Sequence, residues 1–529
     1  MTPDSESPAP SLPSALLPSA AFFAGAAVMI VEISGARLIA PVYGNTIYTW
    51  TALIGVVLVA MSAGGYFGGR LADRSPNGKT IGVLLAAAGM ASAVIPTIAA
   101  AVSGWVSTDK LILGPLFLSA MIFVIPALLL GAISPYAVKL MSVQRADHAV
   151  GRSAGLISMM GALGSFVGTF ATGFWLLSAF DLRHILAAVG LFLVVLALPF
   201  LRLGGALSPA KSLRLLVLTA AAVGLGVSTP LDASRNMLFA KNTYYHLIRV
   251  AEQNDARGQK IRVLMMDSTM EGGINLENDS LPLPYQNYWR ILTNDAAFQP
   301  KNVLFIGAGA FGMPRHVSQH WPQARVDVAE IDPEVIAVGR EFFKLDSAPN
   351  VHAHAADGRL FLRNQAAGHY DFIFGDAYNG VSYIPPHLVT REFFGQIAER
   401  LTPDGVYMMN LIGALRGPSA ELTSGILGGI KAHFPHVAMF NVQSPRPEMR
   451  QNLILLASRQ PLERFLPTPN SGKINFAEAL VTSRVPDVLL APMLAQANPF
   501  TDYHNPIDRI IAASLMHEAQ ATRHNTPGS

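Results

Sequence analysis

The chain has 529 residues, 51% of them hydrophobic and 14% charged, with a mean hydropathy of +0.36, which is too apolar for a wholly soluble protein of this length. A membrane-embedded portion is therefore expected. With no cysteine, disulfides, thiolate zinc sites, iron–sulfur clusters and cysteine nucleophiles are excluded, and a net charge of +3 without a one-sided basic stripe argues against a nucleic-acid partner.

In chain order, a Pro/Ser-rich leader over 1–18 is expected to be disordered. It is followed by seven apolar stretches near 19–41, 50–69, 81–103, 111–134, 153–178, 184–201 and 213–230, each long enough to cross a hydrocarbon core of about 30 Å. Together they predict an α-helical transmembrane bundle over 19–231, its first stretch a retained span rather than a signal peptide. Between Ser19 and Gly69 the charged residues are Glu32 and Arg37, which should face the bundle interior as a packing pair or a polar path. Gly64, Gly65, Gly68 and Gly69, and likewise Gly161, Gly164 and Gly168, permit close helix approach.

Arg70, Arg74, Lys79, Lys139, Arg145, Arg152, Arg202, Lys211 and Arg214 lie in alternate loops, against Lys110 and Arg183 in the others. That bias puts the N-terminus and the basic loops in the cytoplasm, and seven crossings then put the C-terminal half outside.

From Lys241 onward charges return to ordinary globular density. Val303 to Ile306 reads as a buried parallel strand, Gly307, Gly309 and Gly312 form GxGxxG at the mouth of a helix, and Val326 to Ala329 makes a second strand ending in Glu330. A carboxylate there, about 20 residues past the turn, suits a ribose. Asn350 to Ala355 is a third strand closed by Asp357 and Gly358, and after a short helix around Leu360 to Asn364, Asp371 to Gly375 is a fourth, ending in Asp376. Glu330, Asp357 and Asp376 would share the crevice at the strands' carboxyl ends. His352 and His354 alternate along the third strand, but no third ligand has metal-site spacing, so packing or surface roles and no metal are expected.

The order IGAGAFG, AEID, ADG, YDFIFGDA and PPHLVTREFF resembles the Rossmann-like, class I methyltransferase-like catalytic domain of the spermidine synthases, the polyamine aminopropyltransferases. NTYYHLIRV, a strand LMMDSTMEGG and LPYQNYW look like that family's small β-rich domain, and FTDYHNPIDRI looks like the tail of its membrane-fused bacterial members. The resemblance implies a β-rich subdomain over 240–298, a catalytic α/β domain over 299–515 and a disordered tail over 516–529. It implies that Gly307, Gly309, Gly312 and Gly358 shape a nucleoside pocket, that Glu330 holds the ribose and that Asp357 contacts the adenine. Asp376 would sit at the sulfonium end, with Tyr245, Tyr285, Tyr378 and Asp502 around the substrate.

Three departures bear on the reaction. Ala310 stands where the family has an aspartate for the amine of decarboxylated S-adenosylmethionine, which makes S-adenosylmethionine itself a plausible ligand. The family's second aspartate has no counterpart among Asn379, Gly380, Val381 and Ser382. His246 and Met270-Glu271 replace glutamines, with Glu271 a substitute carboxylate.

The implied activity is aminopropyl transfer from decarboxylated or ordinary S-adenosylmethionine to a small amine or polyamine, with Asp376, Glu271 and Tyr245 as catalytic residues. The alternatives are a methyltransferase or other S-adenosylmethionine-consuming enzyme, and a membrane transporter that senses nucleosides without catalysis. Analogy with soluble homologues implies a homodimer. Because such substrates are cytosolic, a catalytic domain on the cytoplasmic face of a bacterial inner membrane is expected, against the charge count. The softest premise of that count is the segment 213–230, with Gly224, Gly226 and Pro230 near its end.

Overall fold

The computed structural model describes residues 13, 15–43, 47–103, 113–144, 149–205, 208–229, 236–267, 269–378, 383–466 and 475–514. Most of the leader, the residues 379–382 and the tail over 516–529 lie outside them. The chain divides into two compact units, Met1–Ala233 and Ser234–Ser529.

The first unit is helical: α1 Leu16–Tyr43, α2 Ile47–Arg74, α3 Gly78–Ala93, α4 Ile95–Ser103, α5 Leu113–Gln144 and α6 Val150–Ala171. A π-helical turn, Thr172–Leu176, leads into the short α7 Leu177–Ala179, and α8 Leu182–Leu203 and α9 Pro209–Ser228 follow. Already helical at Leu16, the chain ends its leader earlier than predicted. Six helices are long and apolar enough to cross a membrane, or up to seven if the bent pair α3–α4 counts as one. This third stretch, predicted as continuous, turns by 47° between its halves. Pro96, the second residue of α4, brings no N–H, and its ring crowds the carbonyl four residues earlier, which favours a bend at this point.

Helix directions follow from which residues meet. Gly64 and Gly68 of α2 face the Leu128 and Ala132 carbonyls of α5, Lys139 pairs with Asp73 at 2.9 Å, and the Tyr136 hydroxyl donates to the Ser75 carbonyl, so α2 and α5 run parallel. In α6, Gly164 and Gly168 face Phe22 and Ala26 of α1, again parallel. The pairs Gly82–Leu201 and Gly89–Gly190 make α3 and α8 antiparallel. Helix α9 runs back along α8: it starts beyond the end of α8, and its C-cap Thr229 accepts from Arg183 at the start of α8, at 3.4 Å. Alternation is thus complete, and the chain passes through the bundle seven times among the described residues. Glu32 and Arg37 are both half-buried within α1.

The second unit opens with an antiparallel sheet in the order β1-β2-β3-β4: β1 Met237–Asn242, β2 Leu247–Asn254, β3 Lys260–Met266 and β4 Thr269–Asn275. LMMDSTMEGG is therefore not one strand. Asp267 takes a left-handed conformation, φ 52°, and its carboxylate accepts from the Leu247 N–H at 3.0 Å, which turns the chain into a hairpin. A 3₁₀ segment, Pro284–Asn294, leads to the α/β part.

There β5 Asn302–Ile306, α10 Gly312–His320, β6 Arg325–Glu330, α11 Pro333–Phe342, β7 Val351–Ala355, α12 Gly358–Arg363 and β8 Tyr370–Gly375 alternate as predicted, within one or two residues. After them come α13 Arg391–Arg400, β9 Leu401–Gly413, α14 Ala420–Lys431, β10 His436–Asn441, β11 Gln451–Ser458, α15 Phe476–Val481 and α16 Asp487–Ala495. The seven strands are ordered β10-β11-β9-β8-β5-β6-β7, and β11 alone runs antiparallel to its neighbours. Val303 pairs with Val326 on one side and Phe372 on the other, all fully buried, as continuous apolar strands of a two-sided parallel sheet should be.

Candidate functional site

At the carboxyl ends of β6, β7 and β8 stand three carboxylates. Glu330 ends β6, Asp357 caps α12 by accepting the Leu360 N–H at 2.9 Å, and Asp376 follows β8. All three line one cavity with Tyr245, His246, Glu271, Gly307, Gly309, Gly358, Tyr378 and His387. Gly307 and Gly309 have φ of 92° and 48°, and a β-carbon on either would run into the Asp376 or Glu271 backbone. Gly312, the first residue of α10, packs on Leu281 instead.

Buried Glu330 accepts N–H groups from Ala308 at 3.1 Å and Asp332 at 2.9 Å. Burial holds its pKa above the usual carboxylate range despite those donors. Asp376 accepts from the Tyr285 hydroxyl at 3.0 Å and the Asn410 amide at 2.8 Å, and burial pushes its pKa up to about 6. Asp357 is the opposite case: a 2.8 Å hydrogen bond with His387 holds its pKa low.

Glu271 is the extra residue of a β-bulge, since Leu264 pairs with Gly272 and Met265 with Met270. Such bulges re-aim side chains. Its Oε1 is buried without a hydrogen-bond partner among the described residues, and burial, then the charges of Asp376, Glu330 and Asp267, raise its pKa well above normal. Tyr285 stands behind Asp376, while the Tyr378 hydroxyl donates to the Asn410 carbonyl at 3.1 Å and accepts the Ile412 N–H at 2.9 Å. Burial raises both phenols well above their ordinary pKa, so both stay neutral donors. Tyr245, 36% exposed, lies toward the mouth.

Asp502 is not brought into the cavity. Its carboxylate grips Arg359 through two 2.7 Å bonds and accepts from Thr390, while Arg359 also donates to the His387 carbonyl and Asn505 to the Pro386 carbonyl. The tail motif thus braces the wall that carries His387. His354, one of the two strand histidines, bonds Asp327 at 2.9 Å and lies against Phe361.

Sequence reasoning missed three residues here. Asn410 is a lone amide in the apolar run MMNLI, and that interruption was its signal. His387 sits in the quoted PPHL but was given no role. The third is Asp267, which pairs with buried His246 at 3.0 Å from 21 residues away, a link no local pattern shows.

With this geometry in place, the comparisons show what part of the chain is similar to. Residues 286–439 match the model of the spermine/spermidine synthase domain. That stretch of the chain is similar to the spermine/spermidine synthase domain. A polyamine aminopropyltransferase of Vibrio vulnificus (strain CMCP6) is 34% identical over 130 residues, 24% of this chain and 43% of that protein. The eEF1A lysine and N-terminal methyltransferase of Mus musculus is 30% identical over 191 residues, 33% of this chain and 27% of that protein. The chain thus spans under half the length of these curated relatives. Among solved structures, a probable spermidine synthase from Corynebacterium glutamicum ATCC 13032 is 20% identical with a TM-score of 0.40, covering 52% of this chain and 97% of that one. The cavity residues fall both inside the matched synthase domain, from Gly307 to His387, and ahead of it, from Tyr245 to Glu271.

Proposed function

We propose that the protein is a multi-pass, membrane-bound aminopropyltransferase of polyamine biosynthesis in a bacterial inner membrane, using an adenosyl sulfonium donor and a small amine or polyamine acceptor. The observation that carries this is electrostatic. Glu271, Glu330, Asp357 and Asp376 line the cavity, no Lys or Arg among the described residues does, and its two histidines are each engaged by a carboxylate. A cavity lined by buried carboxylates favours cations, here a sulfonium and a protonated amine.

In the proposed reaction, the acceptor nitrogen attacks the carbon next to the sulfonium. The new C–N bond forms as the C–S bond breaks, its electrons stay on sulfur as methylthioadenosine, and the amine proton passes to a carboxylate. A free amine has a pKa near ~10.4, and raising a carboxylate acceptor from about 4 to about 6 closes roughly 3 kcal/mol of that gap. Asp376 is the proposed base. Glu271 supplies the second carboxylate, Glu330 holds the ribose, Asp357 meets the adenine, and Tyr285 and Tyr378 shape the substrate end. Positioning supplies the remaining acceleration.

Calorimetry with S-adenosylmethionine and its decarboxylated form, followed by product analysis with putrescine, tests the reading. Methylthioadenosine and an aminopropylated amine support it. Methylated product with adenosylhomocysteine would replace it with methyl transfer, which Ala310 favours, and ligand binding without product would leave a sensor. In Glu271→Gln, acceptor KM is expected to rise on the order of tenfold with donor affinity little changed, because only the carboxylate facing the acceptor is lost.

A further inference from the structure

We infer that His387 is a positioning residue for the base of the adenosyl ligand: through its bond to Asp357 it sets the direction of the carboxylate lone pair that reads the exocyclic amine, so that the cavity selects aminopurine nucleosides. The inference rests on the adenine role given to Asp357 above and is independent of which group is transferred.

Asp357 is held at both of its oxygens. Oδ1 accepts the Leu360 N–H at 2.9 Å, and Oδ2 bonds Nε2 of His387 at 2.8 Å. That bond keeps the carboxyl in its ionised form, which only accepts, so Nε2 carries the hydrogen. A carboxylate tied at one oxygen turns readily about its terminal torsion, which has no sharp minima. Tied at both, its plane is set, and the lone pairs left over point in fixed directions. The carboxylate still lines the cavity with its side chain 21% exposed, which leaves it an open side for a ligand donor. Beside the pair the lining turns apolar, with Pro385 and Leu388 flanking His387 and Ile306 packed against Gly358, and this suits the faces of a flat base.

The placement of the histidine is itself over-determined. The His387 carbonyl accepts from Arg359 at 3.0 Å, and the Pro386 carbonyl accepts from Asn505 at 2.8 Å. Arg359 is gripped in turn by the two 2.7 Å bonds from Asp502. Three separate stretches of the chain, 357–359, 386–388 and 502–505, thus converge on the geometry of one carboxylate. The His387 side chain is 46% exposed, so core packing does not account for this bracing. Holding a recognition group from a second, rigidly supported set of residues does.

The test is calorimetry on the detergent-solubilised full chain with two probes, methylthioadenosine and the matching purine riboside that lacks only the exocyclic amine. One hydrogen bond to a charged acceptor should give the wild-type chain a preference for the amine on the order of thirtyfold. In His387→Ala that preference should fall to about threefold, the loss falling on methylthioadenosine while the probe without the amine binds nearly as before. His387→Gln, whose amide can donate to the same oxygen, should restore most of it. Equal weakening of both probes in His387→Ala, or an undiminished preference, overturns the inference and leaves the proposed function standing. Binding of neither probe by the wild-type chain removes the adenosyl reading of the cavity, and this inference with it.

Discussion

At Asp376, function and stability pull in opposite directions. Its carboxylate has a pKa of about 6 because burial disfavours the charge more than the Tyr285 and Asn410 bonds favour it. The folded state therefore holds this proton more tightly than the unfolded chain does. The stabilisation from that proton is complete below pH ~4 and is lost as pH rises through about 6, a change of about 3 kcal/mol for a shift of roughly two units. Asp376→Asn should consequently raise Tm at neutral pH while removing turnover, and wild-type kcat should fall as the pH drops below about 6. Lower stability, or turnover kept in the variant, would place the base elsewhere. Glu330→Ala should abolish adenosyl-ligand binding by calorimetry. It should also lower stability by about 2–5 kcal/mol, because the Ala308 and Asp332 N–H groups lose their shared acceptor.

Elements differ in how much of their role is local. The strands β5 and β8 were legible because a two-sided parallel strand carries a continuous apolar run, and the ends of β6 and β8 because a carboxylate there has no packing reason to be present. The β3–β4 hairpin was not. Its turn at Asp267 lacks Gly or Pro, and with Met265 and Met266 before it and Met270 after it the short polar stretch Asp267, Ser268 and Thr269 reads as an interruption within one strand. The bulge that aims Glu271 is a property of pairing and leaves no mark in sequence. Asp502 failed for a different reason: the motif was visible, but its partner Arg359 is 143 residues away, and only the fold shows that the tail braces the cavity wall. That geometry changes what a variant should do. Asp502→Asn removes one charge from a clamp that is 35% exposed on the carboxylate side, so its stability cost should stay near ~1 kcal/mol. Ligand affinity should fall by about fivefold through displacement of His387, with kcat nearly unchanged. A collapse of kcat at saturating ligand would instead put Asp502 in contact with substrate.

For the whole molecule, the division at Ala233 and Ser234 separates two kinds of core. The buried cluster of the helical unit runs from Leu17 to Leu201 and contains no residue of the second unit, while the two clusters of the α/β unit begin at Ile248 and Leu304 and contain none of the first. The second unit also holds every residue lining the acidic cavity and both sheets. At nearly 300 residues it is long enough to bury roughly three quarters of its unfolded surface on its own. Expressed alone, Ser234–Ser529 should therefore be soluble, unfold in one cooperative transition, and bind adenosyl ligand within about threefold of the detergent-solubilised full chain, since none of its cavity depends on the helices. Calorimetric titration of both forms measures this. An insoluble fragment, or affinity lost by more than tenfold, would mean that the helical unit completes the site, and the acidic cavity could no longer be treated as self-sufficient.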